Sequence, residues 1–87
     1  MSFRRDEMKK DELKAIMQTL YMYYPDIKAD PVGMVDAWYE IMKDYGADEM
    51  RKAVTEFTKN DQRDYPTFPH IGRIVQLMEK ERHKYRF

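Results

Sequence analysis

The stretch VDAWYEIM, residues 35–42, decides the fold. Its large apolar residues Val35, Trp38, Tyr39 and Met42 stand at offsets of 0, 3, 4 and 7, which place them on one face of an α-helix. An isolated helix cannot bury such a face, so it has to pack against other helices or a sheet. The stretch therefore predicts one helix of a larger helical domain.

The same helical spacing of apolar residues recurs in three other segments, and prolines or glycines separate the four. No segment alternates apolar and polar residues for more than a few positions, so we expect no sheet. We therefore predict an all-α fold, a compact bundle of four helices. The helices are expected at about residues 6–24, 31–45, 48–59 and 68–82.

A chain of 87 residues is expected to form one domain, residues 1–87, with ends at 1–5 and 83–87 that fray. It has no cysteine, which excludes a disulfide scaffold and thiolate-bound metals. The N-terminal segment is charged where a signal peptide would be apolar, and no apolar run is long enough to cross a bilayer. We expect a cytoplasmic protein without a membrane partner.

Capping residues predict where the helices begin and end. Asp30 followed by Pro31 is typical of an N-cap and a first helical residue. Gly46 is expected to stop the second helix in a left-handed conformation. Asp48 and Thr67 are the expected caps of the third and fourth helices.

The apolar stripes of the four helices predict the core. We expect Trp38 at its centre, packed against Leu20 of the first helix and against Ile71 or Ile74 of the fourth. Met8, Met22 and Met34 lie off or at the edge of their stripes, which leaves an exposed partner surface open as their role. The predicted core residues are Leu20, Trp38, Met42, Val54, Phe57, Ile71 and Ile74.

Catalytic chemistry is not supported by the residues. His70 and His83 are thirteen positions apart and match no helical metal pair, and the three glycines form no phosphate-binding loop. The carboxylates of Asp36, Glu40 and Asp44 follow one another at i,i+4 spacing but on the face away from the apolar stripe. We therefore predict no catalytic, cofactor-binding or metal-binding residue, no cofactor and no enzyme.

Charge is balanced overall, with sixteen basic and sixteen acidic residues, but it is unevenly distributed. Residues 26–49 carry seven acids and two bases. Asp36, Glu40 and Asp44 therefore form either a surface for a basic protein partner or a simple solvated helix face. The C-terminal residues 82–87 carry three bases and no acid, too few cations for firm binding to phosphates, so direct nucleic-acid binding is expected to be weak or absent.

Helices two to four also show a familiar succession of motifs. VDAWYEI at 35–41 is followed by Asp44-Tyr45, by a short helix with Ala53-Val54 and Phe57, and by PTFPHIGRI at 66–74. This succession resembles the N-terminal helical domain of the phage replicative-helicase loader and inhibitor family, over about residues 13–78. It also resembles helical domains of other phage and plasmid replication-initiation proteins.

The resemblance implies a function. It implies a non-enzymatic phage or prophage DNA-replication accessory protein that binds a replicative helicase or a replication initiator and regulates or loads it. The alternative is a small helical DNA-binding domain of a replication initiator or regulator, whose fourth helix and basic tail would contact the duplex.

Overall fold

The structure, a computed structural model, describes residues 7–25, 30–64 and 66–84. This part of the chain contains four helices and no strand, which confirms the predicted all-α bundle. The ends at 1–5 and 85–87, and residue 6 as the expected start of the first helix, lie outside the described residues. The helices are α1 Lys10–Tyr23, α2 Pro31–Met42, α3 Ala47–Lys59 and α4 Ile71–Lys84.

α1 begins later than expected, because residues 7–9 are not helical. The Glu12 carboxylate reaches back one turn and accepts a hydrogen bond of 2.8 Å from the Lys9 amide, which fixes Lys9 as the N-cap. At the other end the Tyr24 amide still donates to the Leu20 carbonyl at 2.8 Å, and Pro25 follows. A proline disfavours the helical conformation of the residue before it, so α1 ends at Tyr23.

The start of α2 is as predicted. Asp30 is its N-cap, with a side-chain oxygen that accepts from the Val32 amide at 3.2 Å, and Pro31 is the first helical residue. The predicted end at residue 45 is wrong, since the helix ends at Met42 and the chain turns at 43–44. α2 is therefore about one turn shorter than the apolar pattern suggests.

Two further predictions at this junction are wrong. Gly46 is not a left-handed stop: its backbone is extended, with φ −82° and ψ 150°, and it is the N-cap of α3. Asp48 does not cap α3, because the Glu49 carboxylate accepts from the Gly46 amide at 3.2 Å instead. A carboxylate in the first turn thus fixes the start of α3 in the same way as in α1.

α4 begins at Ile71 and not at residue 68, and Thr67 is not its cap. The imidazole of His70 takes that role, since Nδ1 accepts a hydrogen bond of 3.0 Å from the Gly72 amide. The carbonyl of Thr67 accepts instead from Arg63 at 2.7 Å, which holds the preceding chain in place. At the other end, His83 and Lys84 belong to the helix although we expected fraying from residue 83.

The core lies where α1 packs on α2 and α3, and where α3 packs on α4. Leu20, Trp38, Met42, Val54 and Ile74 are buried, whereas Phe57 and Ile71 are partly buried and pack against this cluster. Met8 is buried, with only 2% of its surface exposed, and so it does not belong to an exposed partner surface. The core is thus rich in methionine, which fills irregular gaps between short helices. Its methionines are Met8, Met17, Met42, Met50 and Met78.

The chain between α3 and α4 closes the bundle through Phe68. Its ring lies 5.3 Å from that of Tyr21 on α1 and 5.7 Å from that of Trp38 on α2, the latter edge to face. Pro69 beside it is buried. This non-helical segment therefore contributes directly to the packing of the first two helices.

Arg63 holds the same segment in place. Its guanidinium forms two hydrogen bonds of 2.8 Å with Asp61 and lies over the rings of Tyr24 and Phe57. The Tyr24 hydroxyl donates to the same carboxylate at 2.6 Å. These hydrogen bonds hold the pKa of Asp61 well below its usual range, and those from Arg63 have the larger effect.

Removing the Trp38 ring tests the centre of this packing. Trp38 is only 7% exposed and contacts Phe68, so Trp38→Ala should lower the free energy of unfolding by about 3–5 kcal/mol. Ile41→Ala on the same helix, at a side chain 47% exposed, should change it by less than about 1 kcal/mol. Urea denaturation followed by circular dichroism measures both, and equal losses would contradict a central Trp38.

The caps of α4 give a second test. His70→Ala removes the acceptor of the Gly72 amide and should lower the free energy of unfolding by about 1 kcal/mol. His70→Asn keeps a capping acceptor and should retain most of that stability. Thr67→Ala removes only a weak side-chain contact with Arg63 at 3.5 Å, so a loss larger than that of His70→Ala would restore Thr67 as the cap.

Candidate protein-binding surface

The three acids singled out by the sequence all lie exposed along α2 and the turn that follows it. The Asp36 carboxylate forms an ion pair with Lys10 of α1 and is still 58% exposed. Glu40 pairs more loosely with Lys43, at 3.6 Å. Asp44 is exposed in the turn after the helix. We call these three residues the acidic face.

The ion pair between Lys10 and Asp36 crosses from α1 to α2. The hydrogen bond and the negative charge of Asp36 raise the pKa of Lys10, so its ammonium stays protonated. Both groups are largely in water, where such pairs contribute little stability and exchange partners readily. The acidic face is therefore partly neutralised within the molecule but open to another cation.

A groove of about 410 Å³ runs between α1 and α2 next to the acidic face. Tyr21, Val32 and Val35 form its apolar surface, and Lys14 and Asp36 stand on opposite rims. At one end the Tyr21 hydroxyl donates to the Pro31 carbonyl at 3.3 Å. Burial, together with the charge of Asp30, raises the pKa of Tyr21 and keeps its hydroxyl a donor. We call this feature the α1–α2 groove.

Several large apolar side chains near these elements are exposed. Met22 at the end of α1 is 81% exposed, in line with its position off the apolar stripe, while Met34 is half-buried. Val32 is 70% exposed at the rim of the groove. The spacing of apolar residues does not reveal Val32 as a surface residue. Val32 stands three positions before Val35, a spacing that predicts a further core residue of the same stripe.

The turn that carries Asp44 is fixed to α4 by Arg82. The guanidinium of Arg82 donates to the Glu49 carboxylate at 2.9 Å and to the Asp44 carbonyl at 3.3 Å. It also covers the ring of Tyr45, 4.5 Å from its centre, while the Tyr45 hydroxyl donates to Glu79. Burial has the largest effect on the pKa of Tyr45, and together with the hydrogen bond to Glu79 it raises this pKa to about 12.

α4 separates its charges between two sides. Glu79 binds Tyr45, and Glu81 binds Lys52 of α3 at 3.0 Å, so both carboxylates turn toward the bundle. Arg73 and Lys80 are exposed on the other side. The solvent side of α4 is therefore basic, which a count of residues along the sequence does not show.

Within the described ranges, no group of three or more potential metal-ligating side chains comes together. The imidazole of His70 is engaged as a helix cap, and that of His83 lies beside Glu79 on α4. None of the helices in the part of the chain that the structure describes is both long and apolar enough to cross a membrane.

Comparison with known protein families gives a match to the N-terminal domain of a phage helicase loader/inhibitor. The family model matches residues 8–75, more than three quarters of the chain. The matched region includes the acidic face, the α1–α2 groove and the segment around Phe68. No curated protein and no solved structure gives a significant match.

The Tyr45 hydrogen bond predicts a loss of stability at high pH. The pKa of Tyr45 lies above that of an unfolded tyrosine, so its contribution is complete below about pH 10 and is lost as the pH rises toward 12. Wild type should therefore lose more stability between about pH 8 and pH 11 than Tyr45→Phe, which cannot ionise. Urea denaturation at both pH values measures the free energy of unfolding. Equal losses in wild type and Tyr45→Phe would contradict a raised pKa of Tyr45.

Proposed function

Because the chain belongs to the phage helicase loader/inhibitor family, we propose that it is a non-enzymatic DNA-replication accessory protein that binds a replicative helicase or a replication initiator. In this role it regulates the delivery of that partner to DNA in the host cytoplasm. The observation that carries the proposal is the family match over residues 8–75. That span contains α1, α2, α3 and the first residues of α4.

The acidic face is the proposed contact with the partner. Asp36, Glu40 and Asp44 are exposed, and their spacing presents a row of negative charge about 12 Å long. A basic patch on a partner would be drawn to this row, which raises the rate of association more than the final affinity. The exposed lysines that now pair with Asp36 and Glu40 can turn away into water when a partner's cation arrives.

The arrangement of the other polar groups supports a role without catalysis. The two bidentate arginine contacts, those of Arg63 with Asp61 and of Arg82 with Glu49, hold non-helical segments and separate elements of the fold together. Both carboxylates are bound by arginine, so neither is free to act as a general base. These groups stabilise the fold and leave interaction surfaces as the feature that can act on another molecule.

A second candidate function is DNA binding by α4. The inward turn of Glu79 and Glu81 favours it, since Arg73 and Lys80 then face solvent on the other side. Against it, a few cations give weak binding that salt readily disrupts, and the acidic face repels phosphates elsewhere on the surface. Protein binding is therefore the function that we place first.

Removing the charges of the acidic face tests the first proposal. The triple variant Asp36→Asn, Glu40→Gln, Asp44→Asn should raise the Kd for the purified replicative helicase or initiator of the host about tenfold. The reason is the loss of attraction to a basic patch, so the effect should shrink at high salt. Biolayer interferometry at two salt concentrations measures both quantities.

A matched control removes the same number of acids elsewhere. Asp48→Asn, Glu56→Gln and Asp64→Asn are at exposed positions on α3 and after it, and this triple should leave the Kd within about twofold. Fluorescence anisotropy with labelled duplex DNA at about 150 mM salt completes the comparison. Sub-micromolar DNA binding by wild type, with neither helicase nor initiator captured, would promote the second candidate.

A further inference from the structure

We infer that the α1–α2 groove receives an amphipathic helix of the partner protein, which inserts apolar side chains against Tyr21, Val32 and Val35. This inference rests on the proposed function and adds the kind of element that the partner supplies. The groove adjoins the acidic face through Asp36, which stands on its rim. A partner attracted to the acidic face is thus brought directly to an apolar surface.

The groove offers apolar surface that the fold itself leaves uncovered. Val35 belongs to the buried core and forms the floor, whereas Val32 is 70% exposed. A valine in this position contributes little to the stability of α2, since most of its surface stays in water and its helix propensity is modest. Covering it with a partner's apolar side chain would remove further apolar surface from water, which is favourable.

The dimensions of the groove suit a helix. The ion pair of Lys10 with Asp36 closes one end, and the hydrogen bond of Tyr21 to Pro31 closes the other. Between these contacts α1 covers eleven positions, about 16 Å, whereas α2 covers only the five from Pro31 to Asp36, about 8 Å or one and a half helical turns. One and a half turns place two anchors at i, i+3 or i, i+4 spacing in the groove, the usual manner in which a helix is held.

The charges of the rims define the edges of that helix. On the α1 rim, Asp11 and Lys14 are both exposed, and Lys14 forms no ion pair with another residue of the described ranges. On the α2 rim stands Asp36, with Glu40 one turn further along. The partner helix should therefore carry an acidic residue opposite Lys14 and basic residues on the edge that faces α2.

Other classes of occupant fit the groove less well. Both walls are helices whose backbone groups are bonded internally, so an extended peptide finds no strand edge to pair with in this part of the structure. Asp36 on the α2 rim and Glu40 one turn beyond it repel a phosphate backbone. An amphipathic helix with basic residues on the edge toward α2 is the occupant that matches the apolar floor and the α2 rim.

A charge placed in the apolar part of the groove provides the main test. Val32→Asp should raise the Kd for the helicase or initiator that wild type binds by about tenfold or more, because the carboxylate would be buried against an apolar anchor. The fold should tolerate this change, since an acid in the first turn of a helix is favourable. Circular dichroism and a thermal melt verify that the variant is folded.

The matched control is Ile41→Asp. Ile41 is also an exposed apolar residue of α2, but it follows Val32 by nine positions, about two and a half turns, and so lies on the opposite flank. Its Kd should stay within about twofold of wild type. Equal weakening by both variants, or no weakening by Val32→Asp, would overturn the inference.

The rim charges and the identity of the occupant are tested separately. Lys14→Glu should weaken binding about three- to fivefold, and Lys59→Glu, a control on α3, should not.

A photo-crosslinking residue at Gln18, on the wall of the groove, should attach to a helical segment of the partner with apolar residues at i, i+3 or i+4 spacing. Attachment to an extended segment, to a second copy of this chain or to nucleic acid would overturn the inference that a partner helix occupies the groove.

These outcomes separate the inference from the proposed function. If wild type captures neither helicase nor initiator, the proposed function fails, and the inference falls with it. If wild type captures one of them and Val32→Asp captures it equally well, the proposed function stands while the groove is not its binding site.

Discussion

The contact of Phe68 with Tyr21 and Trp38 is the constraint on which the arrangement of the helices depends. α1 packs on both α2 and α3, and α4 packs along α3, so the bundle has α1 and α3 at its middle and α2 and α4 at its sides. The connection after α3 returns across the molecule and places Phe68 against both α1 and α2. α2, which carries the acidic face and one wall of the groove, is thereby supported from a second direction. The position of both surfaces is thus set by an aromatic residue outside any helix.

Two arginines also fix non-helical segments against the helices. Arg63 and Arg82 each bind a carboxylate and each lie over an aromatic ring, and each joins a non-helical segment to a neighbouring element. Charged groups in these positions act as structural contacts, because the planar guanidinium can satisfy a carboxylate and stack on a ring at once. The high charged fraction of the chain, 37%, is therefore used partly for contacts that hold the fold together and does not indicate a nucleic-acid surface by itself.

The existence and type of the four helices could be predicted from the sequence, because apolar spacing reports directly on which face is buried. The Asp30-Pro31 start of α2 could be predicted too, but the starts of the other three helices could not, because each depends on which polar group reaches the free amides. Glu12 and Glu49 reach back from inside their helices, and His70 takes the position expected for Thr67. The same distinction holds for the surfaces. Asp36 and Glu40 of the acidic face follow from spacing on one helix, whereas the groove and the basic side of α4 depend on how helices pair.

The hydrogen bonds of two partly buried tyrosine hydroxyls have a consequence for the order of folding. Tyr24 and Asp61 are 37 positions apart along the chain, and Tyr45 and Glu79 are 34 apart, so both hydrogen bonds close long loops. Helical turns form from local contacts within about a microsecond, whereas contacts between distant residues must wait until the loop between them is closed. The individual helices can therefore form before these hydrogen bonds exist. Contacts that are absent from the transition state act mainly on the rate of unfolding, so this pair of hydrogen bonds governs how long the folded domain persists more than how fast it forms.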